Sequence, residues 1–321
     1  MHVAIIGGTG HIGSYLTPML VEAGYSVTCI CRGSRKPYRE HPSWNTIAYC
    51  YMDRPTEEAA GRFGKETARL NADAVIDLTC YYPESAQQLA YALAGKVNHL
   101  LHCGTIWVHG PSSSVPTTED GPRRPFGEYG IRKAAIEAWL MEQSKESGLP
   151  VTVLHPGHLV GPGWAPVNPA GNFNTEVFAA LSQGTEVRMP NFGMETLHHV
   201  HAEDVARGFL LALQNRDTAI GQSFHMVAAS ALTLRGYAEE MAAWFGRPAH
   251  LRFLPWEEWK RGESERDAAV TEDHLRHSPH CSIAKARALL GFEPRHSPLQ
   301  AVKEAVTWLL DHRVIAADAQ G

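Results

Sequence analysis

Long apolar runs are missing from these 321 residues, and none approaches the ~20 that a membrane-crossing helix needs. A basic excess is missing too. Lys and Arg total 29 against 34 Asp and Glu, for a formal charge of −5, a poor basis for wrapping nucleic acid or coating an anionic bilayer. The six cysteines (Cys29, Cys31, Cys50, Cys80, Cys103 and Cys281) form no CxxC pair. Most lie in apolar runs that read as strands, where a reduced thiol behaves as a small hydrophobe, and no further ligands stand at zinc spacing. There is no repeat and no low-complexity tail. The start, Met1-His2-Val3-Ala4-Ile5-Ile6, lacks the basic segment of a secretion signal. The reading is a cytoplasmic protein without membrane or nucleic-acid partners.

What is present is a globular balance, 44% hydrophobic and 20% charged, with length for about two domains. The eighteen histidines include the run His198-His199-Val200-His201. It lacks helical i, i+4 pairing and a companion carboxylate motif, so no metal is expected.

The first half alternates strand and helix. Strands are expected at Val3–Ile6, Ser26–Cys31, Thr46–Met52, Ala74–Leu78, Leu100–Cys103 and Val151–Leu154. Helices are expected at Ile12–Ala23, from an N-cap at Thr56 through Leu70, at Ser85–Val97 after Pro83, and at Ile131–Ser147. Continuous apolar strands between helices indicate a doubly wound parallel α/β (Rossmann) sheet covered on both faces. Beyond Pro156 the pattern breaks at a proline- and glycine-rich stretch, 161–169. Short helices follow at Glu176–Ser182, Ala202–Gln214, Leu234–Phe245, Ile283–Leu290 and Leu299–Asp311. The expected division is a dinucleotide-binding domain over 1–165, rejoined by segments around 196–226, and a smaller C-terminal α/β substrate lobe over 166–321.

Gly7-Gly8-Thr9-Gly10-His11-Ile12-Gly13 lies between the first strand and first helix and satisfies both GxxGxxG and GxGxxG. That spacing suits a tight turn whose free amides, His11 and Ile12 included, receive a dinucleotide's diphosphate at a helix N-terminus. The second strand ends not in a carboxylate for a ribose 2′-hydroxyl but in Arg32, followed by Ser34, Arg35 and Lys36. These cations favour a 2′-phosphate, hence NADP, with NAD the alternative. Asp53 is expected to accept from the adenine amino group, with Arg54 and Leu78 lining the same site.

Tyr129 and Lys133 are four apart and share a helix face, a spacing that suits a phenol acid/base whose pKa a neighbouring ammonium lowers. Thr105 follows the fifth strand, where it can hydrogen-bond a substrate oxygen.

Together with Val108-His109-Gly110, Thr118-Glu119-Asp120, Tyr129-Gly130-Ile131-Arg132-Lys133, the stretch His155–Gly163, Val200–Ala206 and Leu289–Pro294, these motifs make the chain resemble the extended short-chain dehydrogenases/reductases of the NAD-dependent epimerase/dehydratase family. The resemblance implies hydride transfer at a carbinol or carbonyl carbon of a small molecule. Tyr129 would be acid/base, Lys133 the ribose anchor and pKa modulator, and Thr105 the hydroxyl partner. Pro156–Leu159, His158 included, would lie against the nicotinamide. Ile106 and Trp107 stand where a dehydratase carries an Asp-Glu pair, which argues against dehydration. Leu197 stands where many sugar-nucleotide epimerases carry an arginine for the substrate diphosphate; Arg188 or Arg295 would have to substitute. Trp107, His109, Trp164 and Asn172 are the candidate substrate residues. A reductase leads, a sugar or sugar-nucleotide epimerase is the alternative, and a non-catalytic or nucleic-acid-associated relative comes third. Relatives pair through helices matching Ser85–Ala94 and Ile131–Ser144, so a homodimer is expected, although Leu89, Leu93, Ile136 and Leu140 serve equally as core.

Overall fold

Strands that are apolar on both faces must be covered on both faces, and the computed structural model, which describes residues 1–315, shows how. Strands β1 (His2–Ile6), β2 (Ser26–Cys31), β3 (Ala48–Tyr51), β4 (Ala74–Asp77), β5 (His99–Cys103) and β6 (Val151–Pro156) join Ser223–Met226 in a seven-stranded sheet. Its order is Ser223–Met226, β6, β5, β4, β1, β2, β3, and every pairing is parallel. The direction of winding reverses between β1 and β4, which opens a crevice at the strands' carboxyl ends.

Residues alternate between two cores because successive strand side chains point to opposite faces. Val3 and Ile5 join Leu16, Val205 and Phe209 on one side. Ala4 and Ile6 join Phe63, Leu89 and Ile136 on the other. Helix α1 (Gly13–Glu22) starts directly after the glycine turn, a residue inside the expected limits. The stretch expected as one helix from Thr56 is two, Arg54–Ala59 and Phe63–Arg69, separated around Gly61 with φ +64°. Its N-cap is Asp53, whose carboxylate accepts from the Thr56 amide at 3.2 Å, and not Thr56.

A third core, with Phe178, Tyr237, Met241, Val302 and Leu309, lies among Glu176–Gln183, Leu234–Trp244 and Pro298–Asp311. Three two-stranded pairings accompany it, among them His158–Val160 beside His199–His201 and Val187–Pro190 beside Leu251–Leu254. Among the described residues, the α-helices Arg216–Ala219, Trp256–Trp259 and Glu265–His277 went unforeseen. Among the described residues no helix is long and apolar enough to cross a membrane.

Candidate active site

β1 delivers the chain into the glycine turn and α1 carries it away. Gly7 has φ +84°, and a Cβ there would lie 2.5 Å from Thr79 Cγ2; a Cβ on Gly13 would run into the Gly8 carbonyl. Only glycine allows that approach. The Gly10 amide donates to Gly7 O at 2.9 Å and the Ser14 amide to Gly10 O at 2.8 Å, while the His11 and Ile12 amides donate to no carbonyl in the turn. Free amides at the start of a ten-residue helix fit an anionic diphosphate. The turn opens on a cleft of about 540 Å³ whose walls include Arg32, Arg35, Tyr38, Leu78, Tyr81 and Trp164. The His11 ring is buried and stacks on Trp164, centroids 4.9 Å apart. Burial, then His201, lowers its pKa to about 4, so it stands neutral against whatever the turn holds.

The far end of this cleft differs from expectation at Asp53, which is occupied as a helix cap, its Oδ1 shared between the Thr56 amide and hydroxyl, and is not among the wall residues. Arg54 is in the wall, its Nη1 held by Asp77 at 2.7 Å and its Nε by Glu58 at 2.6 Å, while its Nη2 is buried without a hydrogen-bond partner among the described residues. Arg32 and Arg35, by contrast, are exposed on the wall and form no salt bridge among the described residues.

A second cleft of about 340 Å³ adjoins the first and shares Leu159 and Trp164 with it. Thr105 and Tyr129 line it, as do Trp107 and Trp164 among the expected substrate residues. Thr105 is held from both sides. Its amide donates to His155 Nδ1 at 3.0 Å, and its hydroxyl accepts from the Trp107 amide at 3.3 Å. His155 Nε2 in turn lies 2.9 Å from Glu137, which Arg123 grips through two nitrogens.

Tyr129 and Lys133 share one face of Gly127–Glu146, a helix that starts a turn earlier than expected. Tyr129 is exposed at the cleft mouth. Burial, seconded by Cys103, pushes the phenol pKa well above its ordinary value, with a Thr105 hydrogen bond pulling the other way. The net shift of the phenol is upward, against the direction expected from Lys133. Lys133 is buried at 2% exposure, its Nζ donating to the carbonyls of Cys80 and Cys103 at 2.7 Å each. The ammonium is 6.0 Å from the Tyr129 ring centre, and burial lowers its own pKa. With two of three donors anchored, one remains for a ribose hydroxyl.

Other expected residues lie elsewhere. His109 is buried behind the site, bonded to His225 at 2.8 Å and to the Pro122 carbonyl. Asn172 is buried, and its amide is consumed by Thr271, Asn168 and the Asn174 amide. Neither lines the second cleft. Pro156 pairs with Met226 inside the sheet and lines neither cleft. His158 lines the second cleft rather than the cofactor cleft. The rings of the His198–His201 run turn to backbone: His198 to Ala228 O, His199 to Val167 O, and His201 as acceptor from the Glu203 amide. Among the described residues two clusters bring metal-ligand atoms close together, Asp77-Cys80-His102 and His201-Glu203-His296. In the first Asp77 is already paired with Arg54, and Lys133 lies alongside.

Sequence reasoning missed Phe173, Val270, Asp273 and His274, which complete the second cleft. The last three come from the unforeseen helix Glu265–His277. Its signal was present in the N-cap Ser264, the acidic Glu265 and Asp267 in the first turn, and His274, Arg276 and His277 in the last.

The model of the NAD dependent epimerase/dehydratase family matches residues 3–227. The chain is 24% identical over 311 residues to the chloroplast stem-loop binding protein of 41 kDa b of Arabidopsis thaliana, covering 94% of this chain and 78% of that one. It is 24% identical over 311 residues to the 2′-dehydrokanamycin reductase of Streptomyces kanamyceticus, covering 97% and 85%. Among solved structures, the UDP-glucuronic acid 4-epimerase of Bacillus cereus in complex with NAD superposes with a TM-score of 0.73 at 18% identity, covering 97% of this chain and 99% of that one. With the glycine turn lining the first cleft, Thr105 and Tyr129 the adjoining one, and Lys133 buried beside Tyr129, the chain belongs to the NAD dependent epimerase/dehydratase family.

Proposed function

We propose that this NAD-dependent oxidoreductase or epimerase acts as an NADP(H)-dependent reductase of a small carbonyl compound that carries no nucleoside diphosphate. One observation carries the reading. Thr105 and Tyr129 face a cleft that adjoins the glycine-turn cleft and, among the described residues, has neither lysine nor arginine in its wall. A sugar nucleotide brings two phosphates that need cations or aligned donors. The arginines available to substitute are engaged elsewhere, Arg188 with Glu263 and the Gly262 carbonyl, Arg295 near Glu203. The leading assignment over an epimerase or an RNA-binding role rests on that charge pattern.

Lys133 and the glycine turn would hold the cofactor's ribose and diphosphate, and Arg32 and Arg35 a 2′-phosphate. A bound nicotinamide supplies the hydride. Tyr129, kept neutral by burial, is ready to give its proton to the carbonyl oxygen, and Thr105 orients that oxygen. Ile106 is buried and Trp107 is in the cleft wall, so neither neighbour of Thr105 can transfer a proton for dehydration. Leu89, Leu93, Ile136 and Leu140 are buried within the chain. Homodimerisation through these helices, part of the same proposal, would use Tyr91, 66% exposed, and Ile131, 53% exposed.

Purified protein should oxidise NADPH against a panel of aldehydes and ketones. Tyr129→Phe should cut turnover about a hundredfold to ten-thousandfold while leaving NADPH binding intact. Full turnover in that variant overturns the assigned role. Interconversion of UDP-glucose and UDP-galactose without net cofactor oxidation would favour the epimerase instead.

A further inference from the structure

The second cleft holds three ionisable groups that the hydride-transfer chemistry does not use: His274, whose Nδ1 lies 2.8 Å from the Val270 carbonyl, and two others. His158 is 9% exposed. Its Nδ1 accepts from the His198 amide at 3.2 Å, which places the neutral ring's proton on Nε2. That Nε2 is buried with no hydrogen-bond partner, in a residue of the cleft wall. A buried donor left unpaired is unfavourable, so a ligand acceptor there relieves a standing penalty. Burial and the neighbouring His274, His199, His198 and His277 hold the ring neutral. It is therefore a donor rather than a counter-ion.

The second group is Asp273, in the wall opposite no cation and forming no salt bridge among the described residues. The rest of the wall includes Trp107, Tyr129, Trp164 and Phe173. Aromatic faces and one carboxylate, with no lysine or arginine, repel anions and attract an organic ammonium.

On the reductase reading above, we propose that the second cleft selects an amine-bearing carbonyl compound or its alcohol, with the ammonium against Asp273 and the aromatic wall and a ligand oxygen on His158 Nε2. Asp273 and His158 are then specificity residues, distinct from the proton-transferring Tyr129.

The test separates binding from turnover. Quenching of Trp107 and Trp164 fluorescence is titrated in the NADP-saturated protein with matched probes: D-glucosamine against N-acetyl-D-glucosamine, benzylamine against benzyl alcohol, and UDP-glucose. The amines should bind at least tenfold more tightly than their uncharged partners, and UDP-glucose least. Asp273→Asn should erase the amine preference without altering affinity for the uncharged probes. His158→Phe should weaken the two sugar probes at least fivefold, and His158→Asn, which keeps a donor, should restore them. Amines no better than their partners, UDP-glucose bound best, or an unchanged preference in Asp273→Asn overturns the proposal. A normal amine preference with full turnover in Tyr129→Phe would instead leave this assignment standing and remove the catalytic one.

Discussion

At the scale of single residues, backbone geometry was more legible than electrostatics. A strand, a seven-residue glycine pattern and a helix announce the turn, because no other residue type survives there. Gly13→Ala places a methyl group in the Gly8 carbonyl, so the turn must open. The expected outcome is a loss of NADPH affinity of at least tenfold, with a drop in stability of about 1–3 kcal/mol from overpacking, read by calorimetric titration and urea melts. Unaltered affinity would mean that the turn does not receive the diphosphate. Lys133 shows the other side. Its position on the Tyr129 face follows from i, i+4 spacing, but its attachment to Cys80 O and Cys103 O depends on two strand ends far away in sequence. The same holds for Asp53, which spacing offered to adenine and local geometry assigned to a helix cap.

At the scale of elements, the strands of the sheet were found within about two residues, since burial fixes their phase, while helix ends slipped by a turn: Gly127–Glu146 begins four residues before the expected Ile131, and Pro83–Leu93 ends four before the expected Val97. The helix Glu265–His277 was missed because its sequence, ERDAAVTEDHLRH, is polar over most of its surface. Its caps alone betray it. It bears Val270, Asp273 and His274, so much of the second cleft's wall was illegible for the same reason. The loop after β2 is the converse, legible through composition. Arg32 and Arg35 stay exposed at the cleft with no carboxylate partner among the described residues. Replacing both with glutamate should lower the ratio of NADPH to NADH efficiency by about tenfold to a hundredfold, with kcat on NADH kept. If the ratio does not move, the 2′-phosphate is not read there.

At the scale of the whole molecule, the unusual quantity is buried histidine. Burial first, and neighbouring cations or histidines second, lowers the pKa of His99, His109, His198, His274 and His277 to about 4 and of His102 and His199 to about 3. His11 is at about 4, and His158 and His225 are also well down. Above the unfolded value of 6.5 these rings are neutral in both states and folding is indifferent to pH. Below it the unfolded chain takes up protons that the folded chain refuses, so stability falls as pH falls, until the folded values near 4 are reached. One unit into that window costs about 1.4 kcal/mol for each such group. Several groups together therefore reach the roughly 5–15 kcal/mol that holds a typical domain folded. The urea midpoint should decline steeply from pH 6.5, and the chain should unfold cooperatively before pH 5, as followed by far-ultraviolet circular dichroism. Carboxylates held by Arg or His, such as Glu137 beneath Thr105, respond only at lower pH, so an earlier transition is attributable to the histidines. A midpoint that stays level from pH 7 to pH 5 would show that these rings are solvated or paired in solution. Because His158 is one of them, such a result would also remove the fixed tautomer on which the reading of the second cleft depends.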